Sequence, residues 1–114
     1  MKEIVENDFN TFIVNNPFGL IVFMSYSSFY TFDQRSHLID TPDNVGVLSI
    51  ETLSEKTIID YGIDHTPYWF AFKQQNFIFR QPGLLSREDI LKLLAHLQRF
   101  DMSYVSHETG EVIR

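Results

Sequence analysis

Tyr61-Gly62-Ile63-Asp64-His65-Thr66-Pro67-Tyr68-Trp69-Phe70-Ala71-Phe72 closes a helix, turns through a Thr-Pro step and launches five consecutive apolar residues. Gly62 stands where a helix-ending residue belongs, because glycine enters the left-handed conformation without a steric penalty. Pro67, placed just before the next element, costs no ladder hydrogen bond and biases Thr66 toward extended backbone. The run Tyr68 to Phe72 shows no polar alternation, which is the pattern of a strand covered on both faces.

Upstream, a helix is expected over Ser54 to Tyr61, preceded by a strand-like run from Val45 to Ile50 and a turn at Thr41-Pro42-Asp43-Asn44. Phe32, Arg35, Leu38 and Ile39 suggest a short amphipathic helix with Asp33 in its first turn. Leu20 to Met24 is an unbroken apolar run, expected as a central strand. Before it, Asn15-Asn16-Pro17 stops a helix and Gly19 lets the chain turn. That first helix carries apolar residues at Phe9, Phe12 and Ile13, with Asn7 as its expected cap.

Downstream, Tyr68 to Phe72 and Phe77 to Arg80 are joined by Lys73-Gln74-Gln75-Asn76 and predict an antiparallel hairpin. Pro82-Gly83 ends it. Ser86-Arg87-Glu88-Asp89 resembles a capping box with Asp in place of Glu, and it opens a helix with Ile90, Leu93, Leu94 and Leu97 on one face and Leu91 beside them. The order is thus α, β, α, β, α, β, β, α. A strand–helix–strand unit with short connections requires a parallel pair and a right-handed crossover. Residues 1–100 form one domain in this reading. The polar tail 101–114 reads either as loose chain or as a small hairpin of Tyr104–Ser106 with Glu111–Ile113.

Composition narrows the function classes. The chain has 114 residues, 44% hydrophobic, with eleven Phe, five Tyr and one Trp, enough for one aromatic-rich core. Its net charge of −6 and scattered Lys and Arg disfavour nucleic acid and anionic membranes as partners. Cysteine is absent, so the chain offers no disulfide, thiolate nucleophile or Cys-ligated metal. His37, His65, His96 and His107 lack the spacing of a zinc pair, and neither metal nor cofactor is expected. Met1 to Glu6 has no apolar core of a signal peptide, so a cytoplasmic protein is expected.

The order of elements, with Tyr61-Gly62-Ile63, Thr66-Pro67, the Phe72-Lys73 hairpin edge and Gly83-Leu84-Leu85-Ser86 before a Leu-rich helix, resembles thioredoxin. The similarity runs from about Ile4 to Leu97. It implies a thioredoxin-like three-layer α/β/α sandwich, whose mixed central sheet joins parallel strands to a C-terminal antiparallel hairpin. It also implies a cis Thr66–Pro67 bond facing the redox motif, with Gly83 lining the same groove. The family's Trp-Cys-Gly-Pro-Cys is matched by Ser27-Ser28-Phe29-Tyr30-Thr31, so hydroxyls at Ser28 and Thr31 replace both thiols. Val22 and Val47 match the family's buried aspartate and neighbouring lysine. Thiol–disulfide exchange needs a thiolate, which no hydroxyl replaces.

What the resemblance leaves is a binding groove without its chemistry, and no enzyme activity is expected. A protein or peptide partner is expected at Ser28, Phe29, Tyr30, Thr31, His65, Thr66, Pro67, Tyr68 and Gly83. Phe29, Tyr30 and Tyr68 would supply an apolar patch, unless Phe29 and Tyr30 fold back and fill the groove. One alternative is a non-redox enzyme using Ser28, with His65 as base and Asp64 or Asp33 orienting it. The simpler reading makes Ser28 a helix cap and His65 a solvent-facing loop residue. A further alternative is a subunit of a larger assembly, a homo-oligomer included, with Tyr104 to Ile113 pairing onto a neighbour's sheet edge.

Overall fold

The computed structural model describes residues 1–26 and 31–104, with the side chains of Thr31 and Tyr104 left aside. The apolar runs become five strands: β1 (Lys2–Ile4), β2 (Phe18–Met24), β3 (Val45–Ser49), β4 (Tyr68–Lys73) and β5 (Asn76–Pro82). They form one sheet in the order β1-β3-β2-β4-β5. β3 pairs in parallel with both β1 and β2, while β4 runs antiparallel to β2 and β5. The helices are α1 (Phe9–Asn15), α2 (Thr31–Leu38), α3 (Glu55–Tyr61) and α4 (Arg87–Arg99).

Alternation along the buried strands sorts side chains into two cores. Leu20, Val22 and Met24 of β2, Val45 and Val47 of β3, and Trp69 and Ala71 of β4 join Leu38 of α2 and Ile90, Leu94 and Leu97 of α4. This face is mostly aliphatic. On the other face, Ile21, Phe23, Leu48, Tyr68, Phe70 and Phe72 meet Phe12 and Ile13 of α1, with Ile58 and Tyr61 of α3 packed against them. Phe70 stands edge-on to Phe23 at 5.1 Å and to Phe77 at 5.3 Å, a geometry that aromatic quadrupoles favour. Continuous apolar strands are therefore explained by helices on both sides.

The expected Gly62 end of α3 and Ser86 start of α4 are present, while Ser54, read as the first residue of its helix, is instead its cap. Ser54 Oγ accepts from Thr57 N at 3.2 Å, and Ser86 Oγ accepts from Asp89 N at 3.1 Å. Gly62 closes α3 with φ of 64°. Both helix C-termini are also clamped from the hairpin. Lys73 Nζ donates to the carbonyls of Leu97, Gln98 and Phe100 at 2.7, 2.9 and 2.9 Å. Arg80 donates to the carbonyls of Tyr61 and Gly62 at 2.8 and 3.1 Å. Cations there complement the partial negative charge of a helix end.

Elsewhere the structure departs from the sequence reading. β1 was not expected; three residues with Lys2 and Glu3 exposed show too little pattern to read. Asn7 caps no α-helix, since it lies within a 3-10 turn at Glu6–Asp8 that leads into α1. Gly19 lies within β2, where a Cβ would come within 2.3 Å of the Asn44 carbonyl and 2.9 Å of the Phe72 ring. Its role is close approach, and it makes no turn. β3 ends at Ser49, and Ile50 begins a second 3-10 turn. The hairpin link is Gln74-Gln75, with φ of 50° and 66°, as a two-residue loop of the primed type requires. On α2 the buried pair is Gln34 and Leu38, while Phe32 and Ile39 face outward; on α4, Leu91 is exposed. Met102–Tyr104 forms one 3-10 turn, and the proposed tail hairpin lies outside the described residues.

Candidate functional site

The strand registers bring one end of the sheet together. Phe23 of β2 lies beside Tyr68 of β4, which lies beside Pro82 of β5. Ser25 and Tyr26, the Thr66–Pro67 step and Gly83 to Leu85 therefore emerge at the same end. The Thr66–Pro67 bond is cis. Gly83 N donates to the Pro67 carbonyl at 2.9 Å, and the Trp69 indole donates to the Gly83 carbonyl at 3.1 Å. Pro67 is buried, Thr66 half-buried and Gly83 exposed. Gly83 has φ of 104°, which strains any other residue, and among the described residues nothing lies within 4 Å of where its Cβ would be.

A second fastening comes from α2. Gln34 is wholly buried, donates from Nε2 to the Leu85 carbonyl at 2.8 Å, and accepts from Leu85 N at 2.8 Å. Its amide thus mimics a paired strand and satisfies both polar atoms in a place without water. This ties the helix that follows residues 27–30 to the loop that follows β5.

At the end of β2, Glu51 accepts from Ser25 Oγ at 2.7 Å, Tyr26 N at 2.8 Å and Ser49 Oγ at 2.8 Å. Burial works to raise the Glu51 carboxyl, but these hydrogen bonds outweigh it and bring it down to about 2. A fixed carboxylate therefore anchors the chain where it leaves the sheet.

Of the expected groove residues, Thr66, Pro67 and Gly83 are brought together. Ser28, Phe29 and Tyr30 lie outside the described residues, and Thr31 is the first residue of α2. His65 is exposed and pairs with its neighbour, Nδ1 to Asp64 Oδ1 at 2.7 Å. Tyr68 needs correction. It is only 9% exposed and belongs to the aromatic face, with its hydroxyl accepting from Arg80 Nε at 2.9 Å. The strand pleat turns it away from the side that Trp69 shares with Gly83.

Gln34, Glu51 and the indole of Trp69 are the supporting groups that sequence reading missed as part of the corner. A glutamine four residues before a buried leucine on a short helix was the one available signal. Exposed apolar side chains occur on the segments that meet at this end of the sheet: Phe32 of α2 at 82%, Tyr26 after β2 at 63% and Leu84 after Gly83 at 44%.

The positions that the resemblance matches to an assisting aspartate and lysine are Val22 and Val47. They are register partners on adjacent strands, buried in the aliphatic core. Hydrocarbon fills that place. Among the described residues no group of three or more His, Asp or Glu gathers to hold a metal, and no helix is long and apolar enough to cross a membrane.

No protein-family model and no curated protein matches this chain. Solved structures do. A point mutant of the thioredoxin from Halobacterium salinarum NRC-1 aligns with a TM-score of 0.75 at 11% identity, covering 88% of this chain and 92% of that one. Chloroplastic thioredoxin z aligns at 0.71 and 9%, covering 88% and 96%. The Malassezia sympodialis thioredoxin aligns at 0.62 and 19%, covering 87% and 89%. Identities this low speak to architecture alone, and the coverage takes in nearly the whole of each chain. With its mixed sheet, two helical layers and cis-proline corner, the chain has the thioredoxin fold and carries no cysteine.

Proposed function

We propose that the chain is a polypeptide-binding module that uses the Thr66–Pro67 and Gly83 corner without dithiol chemistry. The observation that supports this most is exposed apolar surface on the two segments that Gln34 fastens together: Phe32, in the first turn of α2, is 82% exposed, and Leu84 follows Gly83 at 44%. Exposed aromatic rings of this kind anchor protein interfaces. Two backbone features favour an extended ligand. Among the described residues nothing covers the Cβ position of Gly83, where another main chain can approach, and the Thr66 backbone makes no hydrogen bond. Strand addition uses such groups. Phe29 and Tyr30 would extend the patch.

Selection of a random peptide library on the immobilised chain tests the reading. Extended peptides with an apolar anchor should emerge, and Phe32→Ala should weaken them by about 5–30-fold, the loss of a moderate interface anchor. Peptides that bind the variant equally well would sink it.

A second reading, a non-redox enzyme using Ser28, draws on the exposed Asp64–His65 pair, in which a carboxylate contacts the imidazole Nδ1. Turnover abolished by Ser28→Ala would favour it over simple binding.

A further inference from the structure

The sheet's aromatic face holds a cleft of about 190 Å³ between α1 and α3, separate from the corner described above. Phe9, Phe23 and Tyr61 line it; the Phe9 ring lies 5.4 Å from Tyr61 and 6.1 Å from Phe23. Its polar wall is the Glu6 carboxylate. Oε1 of Glu6 accepts from Ser54 Oγ at 3.1 Å, Ser54 N at 3.4 Å and Thr57 Oγ1, and Oε2 makes no hydrogen bond among the described residues. The Thr57 bond is the chief reason that this carboxyl titrates below its ordinary value, so the wall is anionic at neutral pH.

Glu6 is the one charged residue that lines the cleft, and the elements around it are mainly acidic. The Glu6–Asp8 turn, α1 and α3 together carry Glu6, Asp8, Glu55 and Asp60; the cations nearby are engaged, Lys56 with Asp60 at 3.2 Å and Arg80 with the Tyr61 carbonyl at 2.8 Å. An anion would be repelled here, and a neutral apolar group would leave the carboxylate without a counter-charge. Ring faces and a carboxylate both attract positive charge, and aromatic sites are the usual means of holding alkylated ammonium. The volume is too small for a drug-sized ligand and suits a compact head group.

We infer that this cleft binds a compact alkylammonium cation, with Glu6 as counter-ion and the rings of Phe9 and Tyr61 against its methyl groups. The cation could belong to a free small molecule or to a methylated lysine, and the chemistry is the same.

Titration of the isotope-labelled full chain with choline, followed by NMR, tests it. Choline should shift the resonances of Phe9, Leu53 and Thr57 saturably, and its uncharged isostere 3,3-dimethylbutan-1-ol should bind about tenfold more weakly or worse. Asn10→Lys, on the exposed side of α1 and at the cleft wall, should abolish choline binding without disturbing the Glu6 contacts. A trimethyllysine peptide that binds more tightly than choline assigns the cation to a polypeptide, and the reverse order assigns it to a small molecule. Absence of saturable shifts, equal binding of the neutral isostere, or unchanged binding to Asn10→Lys overturns the proposal.

Discussion

α4 and α3 each end at a cation supplied by the β4–β5 hairpin, yet they are attached to the sheet by different means. α4 has thirteen residues and buries Ile90, Leu94 and Leu97 in the aliphatic core. α3 has seven residues and buries none of them fully. It is fastened at its ends instead: Glu6 receives Ser54 and Thr57 at the start, and Arg80 takes the Tyr61 and Gly62 carbonyls at the finish. A seven-residue helix has little stability of its own. Where it offers no wide apolar face, polar contacts from other elements must fix it. The long helix relies on hydrocarbon, and the short one on charge.

That contrast can be broken by substitution. Leu97→Ala should have the largest effect, about 2–5 kcal/mol of global stability by denaturant titration, from lost burial and a cavity. A loss below about 1 kcal/mol would mean that α4, too, is held by its ends. Arg80→Met should cost less, about 1–2 kcal/mol, because the two carbonyls regain water. Amide exchange should show that loss concentrated in α3, and uniform acceleration across the sheet would contradict local fastening.

The smallest effect is one of pH. The Thr57 hydrogen bond holds the Glu6 carboxyl below its ordinary 4.5. A depressed folded-state value means that its stabilisation is complete above that ordinary value and is lost as pH falls through the folded one. Amide protection in α3, relative to the intrinsic exchange rate at each pH, should therefore fall on acidification before that in α4 does, and Glu6→Gln should remove that acid-dependent difference. Simultaneous loosening of both helices would show that Glu6 does not act alone, since Glu51 is also held low.

The features that sequence displayed were local ones. Continuous apolar runs marked β2, β3 and β4, because burial on both faces removes alternation, and Gly62 and Ser86 marked helix ends by capping chemistry within four residues. What stayed hidden was distant pairing. Gln34 is 51 residues from Leu85, and Ser25 is 26 from Glu51. No periodicity announces such bonds. Phe32 misled for the same reason: on a two-turn helix the phase of the apolar stripe was set by Gln34, whose burial depends on a loop far away in sequence. At the corner, Thr66, Pro67 and Gly83 were legible through the resemblance to thioredoxin, and the side that Tyr68 faces was not, because the strand pleat decides it.

Placing two cysteines in this chain would not by itself make a thiol catalyst. In the reading that equates Ser28 and Thr31 with the lost cysteines, Val22 and Val47 occupy the positions of the groups that exchange protons with a thiol, and both are packed in hydrocarbon. A thiol over apolar surroundings keeps its proton to higher pH, and the attacking thiolate becomes scarce. Ser28→Cys combined with Thr31→Cys should thus yield a bond that forms and opens slowly. Thiol catalysis on this scaffold would require changes inside the sheet as well as at its rim.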